Sequence, residues 1–157
     1  MLLGGYMIEI FDVGKFNTLH TLHDSVSSSL ELNNNIFIMT FDRICEESEK
    51  TKNANKGEKL CVKYILNFDF KKWDKLIKSV TNIDYRKKRR KKIIRYFTLK
   101  GMIKELDKHH QFLSIQSQYY RTGRCLLCTE VYSNGRSEAG NMYYIELLVD
   151  KIIYEWQ

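Results

Sequence analysis

The chain has no proline and only two alanines, Ala54 and Ala139, while Lys, Ile, Asn and Tyr are frequent. That profile reflects a coding bias towards A and T, not selection against turns. No apolar run approaches the ~20 residues needed to span a bilayer, which excludes a helical membrane anchor. Residues 1–11 lack the charged start, unbroken apolar stretch and cleavage site of a secretory signal, because Gly4, Gly5 and Glu9 interrupt them. The eight glycines are scattered, so there is no glycine-rich phosphate loop and no dinucleotide fingerprint. No pair of carboxylates stands out for acid–base work. The four cysteines do not read as a disulfide framework, since a chain this long needs no covalent staples. A reducing, cytoplasmic compartment with free thiols is expected.

What is present is a folding composition, 43% hydrophobic and 13% aromatic, with ten Tyr and eight Phe. At 157 residues the chain can bury one proper core, and a second domain would be starved of interior. A single domain over residues 1–157 is expected. The net charge of +7 is unevenly spread. Residues 86–95 hold eight basic side chains and no acid; taking those eight from 26 leaves 18 basic residues against 19 acidic ones. The protein is near-neutral and carries one basic cluster.

Residues 7–11 alternate apolar and polar, as in a short opening strand. Residues 26–32 and 36–41 flank Asn33, Asn34 and Asn35; Asn tolerates positive φ, which predicts a hairpin with a three-residue loop. Both faces of 36–41 are mostly apolar, predicting a strand covered on both sides. Residues 46–59 are charged and arrhythmic, and read as an exposed loop. A strand is expected over 60–66. Trp73, Leu76, Ile77 and Val80 fit helical spacing, yet so short a stretch could pair as a strand, so 73–80 stays open. Residues 93–97 read as strand. A helix is expected over 98–109: the Thr98 hydroxyl can cap it, and Leu99, Met102, Ile103 and Leu106 form one apolar stripe. Strands follow over 112–118, 125–132, 142–149 and 152–156, with a turn at Ser133, Asn134 and Gly135. Seven to nine strands and one firm helix, without helix–strand alternation, predict an α+β fold. Its expected form is a mainly antiparallel sheet, curved or sandwich-like, with the 98–109 helix packed against it.

Leu22, His23, Asp24, Ser25 and Val26 lead into a strand with Leu30 and Leu32, an Asn-rich turn and a second apolar strand. In the second half a strand enters a Thr-capped helix, another strand ends in Tyr119 and Tyr120, and a hairpin turns about Asn134 and Gly135. Over most of the chain this pattern resembles small uncharacterised β-rich proteins of low-GC Gram-positive bacteria, some of them similar to toxin-immunity proteins. The resemblance implies a bacterial, immunity-like protein that binds a protein partner without catalysis. The basic run lies outside the pattern that carries it.

Cys125 and Cys128 have the spacing of half a zinc site or of a redox pair. In a strand, however, positions three apart point to opposite faces, and Cys45 and Cys61 are isolated, so reduced structural thiols are expected. His20, His23, Asp24 and Ser25 contain every side chain of a hydrolytic triad. Neighbours in sequence do not ordinarily converge as base and nucleophile, so turn hydrogen bonds by Asp24 and Ser25 are the simpler reading. Arg86, Lys87, Lys88, Arg89, Arg90, Lys91 and Lys92 repel one another and should form a solvated loop tip between strands. They could meet an acidic protein surface or nucleic-acid phosphates. Tyr85 and Tyr96 flank the run, where base-stacking aromatics would stand, and also suit ordinary strand positions. No catalytic residue, metal or cofactor is expected. The leading expectation is a non-catalytic protein-binding domain; the alternative is a nucleic-acid-associated protein using residues 86–95.

Overall fold

The computed structural model describes residues 7–44, 59–86 and 91–157. Nine strands form a largely antiparallel sheet that does not close, and two α-helices accompany it, so the α+β fold expected from the sequence is what forms. The last strand, β9 (Arg136–Trp156), organises the rest. Its first half pairs with β8 (Arg124–Ser133) and with β5 (Val80–Arg86). Its final residues pair with β4 (Leu60–Leu66) and with β1 (Met7–Asp12). From these, β8 leads to β7 (Phe112–Arg121), β4 to β3 (Ile36–Phe41) and β2 (Ser29–Asn33), and β5 to β6 (Lys91–Phe97).

Residues 142–149 and 152–156 are therefore not two strands but parts of one. Tyr143, Ile145, Leu147 and Val149 are buried, and then the buried set shifts by one to Ile152, Tyr154 and Trp156. The pairing with β4 slips at the same place, between Ile65 and Leu66, which is the mark of a bulge. An irregularity of this kind breaks the period-2 pattern without ending the strand.

The edges β2 and β7 are tied together by the segment 24–28. Asp24 and Ser27 donate backbone hydrogen bonds to Ile115 and Leu113 of β7, Ile115 donates back to Ser25, and Ser28 donates to Thr40 of β3. The sheet thereby curls around its core. Phe37, Met39, Phe41, Val62, Tyr64 and Leu127 point into it, and Phe16 and Leu22 join from the N-terminal segment.

The β2–β3 connection is a two-residue turn, not three: Asn33 stays paired with Ile36 while Asn34 takes φ 56. Ile36, Ile38 and Thr40 are half-buried, so only the face with Phe37, Met39 and Phe41 is fully covered. The ambiguous stretch 73–80 divides. Helix α1 (Phe70–Ile77) ends where Lys78 takes φ 53, and β5 begins at Val80. This is a second helix beside the expected one. The expected helix, α2 (Leu99–Lys108), opens at Thr98, whose hydroxyl accepts from the Gly101 amide at 3.0 Å. Its buried Leu99, Met102 and Leu106 each contribute about 1.5–3 kcal/mol. The turn at Asn134 (φ 50) and Gly135 (φ 72) joins β8 to β9 as expected. Apart from Lys59, the loop read over 46–59 lies outside the described residues.

Candidate nucleic-acid interface

β5 and β6 form a two-stranded ribbon running from Val80 opposite Phe97 to Arg86 opposite Lys91. β5 also pairs with β9, whereas β6 stands at the end of the strand order. Directly opposed residues share a face. One face therefore carries Thr81, Ile83 and Tyr85 from β5 with Lys92, Ile94 and Tyr96 from β6; the other carries Val80, Asn82 and Asp84 with Ile93, Arg95 and Phe97.

The second face is anchored. Asn82 is fully buried and donates to the Asn141 side chain at 2.8 Å and to the Met142 carbonyl at 2.9 Å. Its own oxygen accepts from Nε and Nη2 of Arg95. Arg95 also lies 3.6 Å from Glu105 of α2 and over the Phe97 ring. Gly140 lets β9 approach: a Cβ there would stand 3.0 Å from the Tyr85 carbonyl oxygen, and its φ is +87. The ribbon is thus held firmly at its base.

The first face is open. Tyr96 is 63% exposed and Tyr85 49%, with Ile94 exposed between their rows. The Lys92 ammonium lies 5.6 Å from the centre of the Tyr85 ring. Aromatic rings, a cation and backbone edge are presented together on one exposed ribbon.

Of the basic run, Arg86 closes β5, Lys91 opens β6 opposite it, and Lys92 is exposed on the open face. Lys87, Lys88, Arg89 and Arg90 lie outside the described residues; in sequence they join these paired strand ends. Arg95 belongs to the same cluster by charge but is committed to Asn82 and Glu105. Tyr85 and Tyr96, which in sequence suit both a stacking role and ordinary strand positions, are both given to solvent. The alternation of Lys92, Ile94 and Tyr96 signals a shared face, but nothing local says which face is covered.

The other sequence candidates do not converge. His20 turns to Glu9 and packs edge-on against Phe11, Tyr154 and Trp156. His23 instead sits 3.0 Å from Asp24 on the surface, and Ser25 is buried, hydrogen-bonded to β7 through its backbone. Cys125 is buried and Cys128 half-buried on opposite faces of β8, and burial pushes the Cys125 thiol far up. Among the described residues no group of three His, Cys, Asp or Glu is placed to hold a metal ion. No described helix is long and apolar enough to cross a membrane. No protein-family model matches the chain, and no curated protein or solved structure does either.

Proposed function

We propose that this chain binds single-stranded nucleic acid with the open face of the β5–β6 ribbon. One observation carries the reading: Tyr85 and Tyr96 are both exposed on the face that also holds Lys92. Every base has a π-face, so exposed tyrosines bind bases with little regard for sequence, while cations hold the phosphates. The two rings are four residues apart along the ribbon, about 13 Å, which leaves room for intervening backbone beside Lys92. The cations of the run Arg86 to Lys92 then supply phosphate contacts. Such a role suits a reducing, cytoplasmic setting.

A second reading is favoured by a different feature. β6 ends the strand order, and Ile93 and Ile94 are each 44% exposed. A free edge with exposed apolar side chains suits strand addition by a protein partner, and the flanking cations suit an acidic one. This is the form the bacterial, immunity-like expectation takes.

Fluorescence anisotropy with a labelled single-stranded oligonucleotide separates the two. Nucleic-acid binding should weaken steeply with salt and fall when residues 86–92 are neutralised. No binding at low salt, or equal binding by both proteins, would remove the first reading and leave the second.

A further inference from the structure

A cleft of about 660 Å³ opens on another part of the molecule, between the β2–β3 turn, the end of β4, α1 and the start of α2. That is a usual size for a small-molecule site. Its floor is apolar, made by Leu32, Leu66 and Phe70. At its rim Phe68 is 91% exposed, although its turn is well ordered by hydrogen bonds: Asp69 donates to the Asn67 side chain at 3.0 Å and Phe70 to the Asn67 carbonyl at 2.9 Å. A phenyl ring left in water on an ordered turn, beside an apolar floor, is half of a contact.

The charges lining the cleft are not symmetrical in their commitments. Its two carboxylates are engaged within the fold. Asp74 accepts from the Ser79 hydroxyl and from the Leu99 amide, and Asp150 accepts from the Asn67 side chain at 2.8 Å. Its three lysines, Lys71, Lys75 and Lys100, are all exposed, and none forms an ion pair among the described residues. Lys71 and Lys75 lie one helical turn apart on α1, so both can address one ligand group.

We infer that the cleft binds a small organic anion: a carboxylate, sulfonate or phosphate carried on an aromatic or short aliphatic body. The body lies on the floor against Phe68, and the charged end meets the lysines. The inference uses none of the ribbon residues, so it stands or falls apart from the nucleic-acid reading.

The test is a fluorescence titration of the full chain with anilinonaphthalene sulfonate, an apolar anion, followed by competition with octanoate and with inorganic phosphate. Saturable binding at one site is expected, displaced by octanoate and not by phosphate. The triple variant Lys71→Ser, Lys75→Ser, Lys100→Ser should bind about tenfold more weakly or worse. A charge-matched control, Lys72→Ser, Lys104→Ser, Lys108→Ser, should bind as the wild type does. Phe68→Ser, at a side chain the fold does not use, should also weaken binding. Equal affinity for the cleft and control variants, or displacement by phosphate as effective as by octanoate, overturns the inference. Absence of saturable binding overturns it too.

Discussion

Asn82 and Arg95 face each other across β5 and β6, and the single side-chain oxygen of Asn82 accepts two hydrogen bonds from the guanidinium, at 3.2 and 3.0 Å. The Asn82 amide group meanwhile bonds Asn141 and Met142 of β9. One buried side chain therefore joins three adjacent strands and fixes the ribbon to the sheet. Asn82→Ala leaves buried partners unsatisfied and should cost about 1–3 kcal/mol, read from the urea midpoint. Arg95→Ala should cost less, because the Arg95 side chain is 42% exposed and water reaches part of the space it leaves. An Asn82→Ala midpoint equal to the wild type's would mean that the network does not anchor the ribbon.

Tyr85→Ala and Tyr96→Ala should each weaken single-strand binding by about 1–3 kcal/mol with little change in stability, since both rings are exposed. The Phe variants should keep most of the affinity, because the ring supplies the stacking surface. Anisotropy titrations measure the first effect and thermal melts the second. Full affinity in both Ala variants would argue that the bases never reach this face.

Burial pushes Tyr143 up to about 12 and holds Tyr64 and Tyr120 well above the usual range. In the unfolded chain these groups ionise near pH 10. Between that value and their folded values the unfolded state has lost protons the folded state keeps, so stability falls as pH rises. Their contribution is complete below about pH 10 and disappears as pH climbs through the folded values. The urea midpoint should drop as pH rises from about 10, where tyrosine ordinarily titrates, towards about 12, and drop less for Tyr143→Phe. A midpoint unchanged over that window would contradict the burial of these hydroxyls.

The Cys125 thiol is buried and held neutral by its surroundings, so a thiol reagent should modify it only as the chain unfolds. Because Cys125 and Cys128 occupy opposite faces of β8, mild oxidation should leave this pair unbridged. Intact mass and peptide mapping after timed labelling would reveal either departure.

The features legible in the sequence are those decided within a few residues. Thr98 caps α2 through its own hydroxyl, and Asn34 and Asn134 take positive φ at turns that their neighbours flank with strands. Residues 73–80 resisted because their division depends on one backbone conformation, at Lys78, and on the pairing of Val80 with both Phe97 and Ile145. β9 looked like two strands because its alternation slips near Asp150 and Lys151, where its pairing with β4 shifts register. The basic run was conspicuous as charge. Its aromatic neighbours Tyr85 and Tyr96 were legible as flanking residues, but their exposure was not, because alternation groups Lys92, Ile94 and Tyr96 without saying whether that group faces α2 or water.

The sequence by itself determined the fold class, the places of two hairpin turns, the start of α2 and the position of the one basic cluster. Hydrophobic period, capping chemistry and charge are local properties, and they act before the chain has any shape. Only the tertiary structure decided which ribbon face is open and which cations are already committed, as Arg95 is to Asn82 and Glu105. It alone brought Leu32, Phe68, Lys71 and Lys100 to one cleft. Those outcomes depend on which surfaces other elements cover, and covering is settled by packing between residues far apart in the chain.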